Sequence, residues 1–270
     1  MSYDLGIIGA GNMAEAIVRG IVKARIIAPQ RIIVADVSPQ RRELFQSELK
    51  TAAVDDNTAA ARDCRVLLLS VKPQQMAAAL ASFSAALSPN TLILSIAAAI
   101  STRCIEKTLG GDKPWRVVRA MPNTPMLVGE GLAAICPGTH ATAADMAEAR
   151  RIFSSAAEVI ETTEDKMDAV TAVSGSGPAY FFYLTEQMIK AAVELGIPPA
   201  QAARMAAKTA LGAARMLVES DQSPGELRRK VTSPGGTTEA AIAHLDKSGW
   251  PAATVEAVKA AARRSGELGR

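Results

Sequence analysis

Histidine is almost absent from this chain, and cysteine is scarce. Of 270 residues, two are histidine and three are cysteine. His140 and His244 alone leave a zinc site short of ligands, so no metal is expected and both read as surface residues. Cys64, Cys104 and Cys136 lie far apart with no CxxC spacing, which excludes a disulfide framework and suits a reducing compartment. Long apolar runs are missing too. The longest, around "TLILSIAAAI", falls short of a membrane span, and a strand pattern that starts almost at once leaves no room for a signal peptide. The expected setting is cytoplasmic, away from membranes. Blocks of like charge are also lacking: the net charge is +3, with Lys and Arg scattered. The densest basic runs, "RRELF" and "LRRK", carry no interleaved aromatic pattern, so they read as solvated helix faces rather than a nucleic-acid surface.

What is present is the balance of a soluble globular protein, 49% hydrophobic and 21% charged, long enough for two domains. The first part alternates short β-branched runs with helical patterns. "YDLGIIG", "RIIVAD", "RVLLLSV", "TLILSI" and "WRVVRA" read as strands, separated by "MAEAIVRGIVKA", "PQRRELFQSEL" and "QQMAAALASFSAAL" as helices. That alternation predicts a parallel sheet covered on both faces. "GLAAIC" and "EVIETT" add two strands flanking a helix near 141–154. After about Glu164 the strands stop, and "YFFYLTEQMIKAAVEL" and "PAQAARMAAKTALGAARMLVES" are amphipathic helices whose Met and aromatic positions read as core or interface. The expected fold is an α/β Rossmann-type domain over residues 1–164, followed by an all-α dimerisation domain over 165–270.

"GIIGAGNMA" joins the first strand to the first helix, with Gly9, Gly11 and Ala14 at G-x-G-x-x-G/A spacing. The first glycine permits the tight turn, the second lets backbone approach a pyrophosphate, and the helix start offers free N–H groups to it. Asp36, at the end of the second strand, suits the ribose hydroxyls of NADH, while Ser38, Arg41 and Arg42 could hold the 2′-phosphate of NADPH. Both cofactors stay open.

Two glycine clusters interrupt the helical part. In "VTSPGGTTEAAI", Ser233 reads as an N-cap, with Pro234, Gly235 and Gly236 as the first helical positions. Gly236 then replaces the acid of a capping box, keeping a negative side chain away and leaving N–H groups bare for a carboxylate. Thr237 and Thr238 add hydroxyls. In "VSGSGPAY", Ser174 and Ser176 flank glycines that open another helix at Pro178. The two openings read as two walls of one polar pocket. No catalytic His, acid pair or activated Cys is apparent, so the chemistry should need little acid–base machinery.

"GIIGAGNMAEAI", "SVKPQ", "RAMPNTP", "VTAVSGSGPAYFFY" and "VTSPGGTTEAAI", in that order, resemble pyrroline-5-carboxylate reductase over nearly the whole chain. The resemblance implies reduction of the cyclic imine Δ1-pyrroline-5-carboxylate to L-proline with NADPH or NADH, by dimers that assemble further into decamers. It implies that Gly9, Gly11, Asn12 and Met13 line the diphosphate and that Asn57 lies near the adenosine. Val71, Lys72, Pro73, Ala97 and Ala98 would run along the cofactor, and Met121, Pro122 and Asn123 would approach the nicotinamide. Gly236, Thr237 and Thr238 would hold the substrate carboxylate, with Thr238 at the ring nitrogen as candidate proton donor. Asp221 stands near a family acid that shapes the substrate site, here shorter than Glu.

Three other readings compete. A β-hydroxyacid dehydrogenase resembles this plan, but its catalytic lysine and asparagine positions fall on Phe181 and Thr185. A reductase of another cyclic imine would share every motif. A nucleotide-binding regulator without turnover would not need both "SPGGTT" and "SGSGPAY".

Overall fold

The computed structural model describes residues 2–110 and 113–269. In chain order, the first part runs β1 (Tyr3–Ile8), α1 (Asn12–Lys23), β2 (Ile32–Ala35), α2 (Pro39–Ser47), β3 (Ala52–Val54), α3 (Asn57–Arg62), β4 (Cys64–Leu69) and α4 (Met76–Phe83). It continues with β5 (Leu92–Ser95), α5 (Thr102–Thr108), β6 (Arg116–Pro122), β7 (Gly131–Pro137), α6 (Ala143–Phe153), β8 (Ala157–Glu161) and α7 (Met167–Val170). Five helices follow: α8 (Gly177–Glu194), α9 (Pro199–Glu219), α10 (Pro224–Lys230), α11 (Thr237–Lys247) and α12 (Trp250–Leu268).

The strands form one sheet in the order β3-β2-β1-β4-β5-β6-β7-β8. Neighbours are parallel except β6 and β7, so the last two strands run against the rest. The expected Rossmann sheet is there, with an addition. β3 is three residues of Ala-Ala-Val, too short and too poor in β-branched residues to show a period. It pairs beside β2 through Ile33, Val34 and Ala35.

Strand composition explains the layers. In β1, Leu5 and Ile7 point into one core with Ile17, Ile21, Val66 and Leu68, while Ile8 points into the other with Leu67, Leu69 and Phe83. With both faces covered, apolar residues run continuously rather than alternating with polar ones. Each Leu or Ile so buried contributes roughly 1.5–3 kcal/mol. A Cβ at Gly6 would lie 2.4 Å from the Ala60 carbonyl oxygen, so glycine there lets α3 close on β1.

By its internal contacts the chain forms two compact units. One comprises residues to Gly175 together with the stretch from Ala261; the other is Ser176–Ala260. The first therefore extends past the boundary expected after residue 164 and takes back the chain's end. Met167 of α7 packs with Ala134 and Cys136 of β7, and Ser265 of α12 donates a 2.7 Å hydrogen bond to Asp168. Those contacts belong to the sheet unit although the sequence pattern there is helical.

The helical unit buries little within one chain. In α8 and α9 only Gly177, Ala202 and Ala206 are fully covered, while Phe181, Phe182, Tyr183, Leu211 and Met216 are more than half exposed. The Met and aromatic positions, expected as core or interface, are thus not core. Uncovered apolar area on this scale marks an interaction surface. Among the described residues, no helix is long and apolar enough to cross a membrane.

Candidate active site

Strand β1 is paired with β2 on one side and β4 on the other. Chain connections leave in opposite directions there, which opens a crevice at the strands' carboxyl ends. Gly9 turns the chain into it with φ +97°, and a Cβ would lie 2.7 Å from the Ser70 carbonyl oxygen. Both backbone angle and space demand glycine. Gly11 is the N-cap of α1, without a side-chain cap, and a Cβ there would meet nothing within 4 Å. The bare helix start faces open space, which fits a dinucleotide diphosphate.

The crevice is a cleft of about 400 Å³ that brings together Gly9, Gly11, Asp36, Asn57, Val71 and Lys72. A neighbouring cleft of about 320 Å³ collects Met13, Pro73, Ala97, Ala98, Met121, Pro122 and Asn123, again with Val71 and Lys72 on its wall. Asn12, at the first position of α1, is exposed and lines neither. Ser70 and Gly175 are wall residues that the sequence reading did not name. Ser70 was legible as the first residue of "SVKPQ", directly after a buried strand.

At the end of the crevice next to β2, the polar side chains are already engaged. Asp36 accepts the Ala10 N–H at 2.6 Å and the Ser38 N–H at 2.8 Å, tying the glycine turn to the loop after β2. Ser38 caps α2 by accepting the Arg41 N–H. Arg41 donates through Nε to the Ala10 carbonyl and through Nη2 to Glu15 at 2.8 Å. Arg42 donates to the carbonyls of Asp36 and Val37. Ser38 and Arg41, expected as candidates for a 2′-phosphate, therefore make loop and helix contacts. Asn57 begins α3 and donates to Ser82 at 3.0 Å.

At the other end, Asn123 acts as a strut. Its Nδ2 donates to the Ser174 carbonyl at 3.3 Å, and its Oδ1 accepts the Leu132 N–H at 2.9 Å. The segment Thr171–Gly175 is one π-helical turn rather than a loop. A Cβ on Gly175 would lie 2.5 Å from Met121 Cε, the mobile end of a flexible side chain, so the turn packs directly against Met121. Ser174 Oγ is buried without a hydrogen-bond partner, a state native proteins rarely leave unexplained. Two residues before Met121, the buried Arg119 pairs with Glu164, which also accepts from the N–H and hydroxyl of Thr102. This holds β6, α5 and the segment leading to the π turn in one frame.

Neither buried thiol is poised as a nucleophile. Burial pushes Cys64 and Cys136 each up to about 12, the latter further raised by Glu164, so both are protonated at neutral pH.

In the helical unit, the last glycine motif departs from expectation. Helix α11 begins at Thr237, with Gly236 rather than Ser233 as N-cap. Ser233 instead accepts the Gly236 N–H through its carbonyl at 2.9 Å, and Gly235 turns at φ +71°. A negative side chain is not kept away. Glu239, third in the helix, reaches back to the Gly235 N–H at 2.7 Å. The two glycines shorten the helix by a turn that the proline signal had placed inside it. Gly236 offers no side-chain cap, so the N–H groups of Thr237, Thr238 and Glu239 lack helical partners. Asp221 is exposed between α9 and α10. At the start of α8, Pro178 stands in the first turn as expected.

Residues 164–268 match the family described as pyrroline-5-carboxylate reductase dimerisation, and residues 4–99 match NADP oxidoreductase coenzyme F420-dependent. The chain is 43% identical to a pyrroline-5-carboxylate reductase from Synechocystis, across the whole of both chains. Among solved structures it is similar to a pyrroline-5-carboxylate reductase from Coxiella burnetii, with a TM-score of 0.90 and 36% identity over all of both chains. A Plasmodium falciparum pyrroline carboxylate reductase with NADP bound gives 0.88 and 30% identity, over 99% of this chain and 98% of that one.

Proposed function

The chain belongs to the pyrroline-5-carboxylate reductase family, and on that premise we propose how its own residues divide the work. The enzyme reduces L-Δ1-pyrroline-5-carboxylate to L-proline with NADPH or NADH, the last step of proline biosynthesis. The bound dinucleotide supplies a hydride. Everything else is binding, orientation and one proton.

Gly9, Gly11, Asn12 and Met13 present backbone to the diphosphate, with α1 adding its N-terminal N–H groups. Asp36 and Asn57 serve the adenosine end. Val71, Lys72, Pro73, Ala97 and Ala98 form the wall along the cofactor, and Met121, Pro122 and Asn123 back the nicotinamide. The N–H groups at Gly236–Thr238 take the substrate carboxylate, and Asp221 contributes its edge. Thr238 Oγ1 hydrogen-bonds the ring nitrogen and, once hydride has made it a neutral amine, would relay it a proton from water, which restores the hydroxyl. Ser174 Oγ, buried and unpartnered, is a second hydroxyl for substrate.

A protonated C=N is already a strong hydride acceptor, so orientation is the main requirement. Reduction removes the positive charge of the iminium. A site that stabilised a cation would hold back the reaction, and a neutral hydroxyl does not. The observation that carries this reading is the start of α11. A glycine N-cap leaves the first helical N–H groups without a side-chain cap, Glu239 being engaged by the Gly235 N–H instead, next to two threonine hydroxyls, which suits an anionic, nitrogen-bearing substrate.

The working unit is a homodimer built through the helical unit, assembling further into a decamer, in the cytoplasm and without a nucleic-acid partner. The uncovered faces of α8 and α9 support self-association. The test follows oxidation of NADPH and of NADH, each with pyrroline-5-carboxylate, and light scattering gives the assembly size. Binding of both cofactors without oxidation of either would overturn the reading.

A further inference from the structure

The glycine turn carries a charge arrangement that the reduction does not use. Glu15, in the first turn of α1, accepts from two arginines at once: Oε2 from Arg41 at 2.8 Å and Oε1 from Arg19 at 2.9 Å. Arg19 is anchored a second time, to Glu48 at 2.6 Å. Arg41 gives its Nε to the carbonyl of Ala10, between the two glycines, and its guanidinium lies 5.8 Å from the Phe45 ring centre. Burial by itself would raise the Glu15 pKa, but hydrogen bonds from Arg41 and Arg19 outweigh it and hold it below the ordinary value. At neutral pH Glu15 is a full negative charge beneath the turn.

Arg41 stands on the helix after the β2 loop, where an adenosine ribose lies in this fold. A guanidinium there suits a 2′-phosphate better than any other side chain, through paired N–H donors. Here one paired edge of the guanidinium, Nε and Nη2, is directed back to Ala10 and Glu15, and Arg41 does not line the cleft. Asp36 lines the cleft itself, a carboxylate that suits ribose hydroxyls and repels phosphate. Arg42, seated on the carbonyls of Asp36 and Val37, leaves some positive charge nearby, so discrimination is graded rather than absolute.

We propose that Glu15 is a specificity-determining residue for the cofactor: by holding Arg41 under the glycine turn, it weights the adenosine site towards a plain ribose and against a ribose 2′-phosphate. It acts through Arg41 and touches no reacting atom. The proposal rests on the NADPH-or-NADH reading above and adds which side chain sets the balance.

The test is direct binding, read from the fluorescence of reduced nicotinamide, with the full-length protein and NADPH and NADH titrated separately. The variants are Glu15→Gln, Arg41→Ala and the two combined. Glu15→Gln should tighten NADPH relative to NADH by about fivefold to tenfold, the scale of one freed charge-assisted hydrogen bond. NADH affinity serves as the control for an intact turn and should stay near wild type. In the double variant the gain should vanish. A ratio within about twofold of wild type for Glu15→Gln would overturn the proposal. So would a gain that survives Arg41→Ala, since Glu15 would then act by its own charge. Loss of both cofactors in Glu15→Gln would make Glu15 a structural residue and also end the proposal. If wild type binds neither, the cofactor reading itself fails, and that result is distinct from the other three.

Discussion

The sheet unit and the helical unit solve the same problem in opposite ways. In the first, Leu5, Ile7, Leu67 and Leu68 are fully buried by helices of the same chain. In the second, two helices of 18 and 21 residues leave aromatic and Met side chains uncovered. Hydrophobic content is not what separates them. A sheet with crossover helices brings its own cover, because every parallel connection lays a helix on a face. Antiparallel helices such as α8 and α9 cover one stripe of each other and leave the rest for something else. The lesson concerns function as much as stability: cofactor binding should belong to one chain, whereas the integrity of the helical unit should depend on association.

That contrast can be broken most forcefully at Gly9. Gly9→Ala places a Cβ 2.7 Å from the Ser70 carbonyl oxygen on a backbone at φ +97°. Strain and clash together should cost about 3 kcal/mol or more of cofactor affinity, roughly a hundredfold. Titration would show it, and the assembly size by light scattering should not change. The converse variant is Phe182→Asp, at a residue 64% exposed in one chain. It should weaken self-association by roughly 2–4 kcal/mol, measured by sedimentation, while cofactor affinity in the sheet unit stays near wild type. If Phe182→Asp leaves assembly intact, the uncovered face of α8 is not the interface.

Thr238→Ala sharpens the comparison at the chemical level. Turnover should fall by about tenfold to a hundredfold, the scale of one or two hydrogen bonds to the reacting nitrogen. Cofactor affinity should hold, and steady-state kinetics with single-turnover traces separates the two.

The smallest effect is on the acid limb of stability. Glu148 in the sheet unit has its pKa lowered, chiefly by the hydrogen bond from Arg151 and then by Arg65, against an opposing effect of burial. A carboxyl depressed on folding stabilises above its unfolded value near 4.5 and loses that contribution as pH falls through the folded value. Glu148→Gln should therefore lower sheet-unit stability modestly at neutral pH, and the gap from wild type should close as pH falls below about 4.5, which flattens the acid limb. Denaturant melts at stepped pH test it. An unchanged acid limb would assign no role to this pair.

Local pattern made much of this legible. β-branched runs bounded by turn residues marked seven strands, since a buried parallel strand needs apolar side chains on both faces. It did not mark β3, whose Ala-Ala-Val is held by its ladder to β2 rather than by propensity. The glycine turn was legible because φ +97° and a backbone neighbour at 2.7 Å admit one residue type. The last motif was read correctly as a helix start but placed too early. Proline after serine imitates an N-cap and first position, and nothing local told that Glu239 would reach back to Gly235.

The sequence alone determined which elements form, where glycine is compulsory and the order in which the site's parts follow one another, because each depends on neighbours a few residues away. Tertiary structure alone decided who holds whom. Asp36 bonds to Ala10, Arg41 to Ala10 and Glu15, and Asn123 to Ser174, pairs separated by 26 to 51 positions. A charge or amide has several possible partners in a chain of this length. Only the folded geometry, which sets donor and acceptor within 3.5 Å, selects among them.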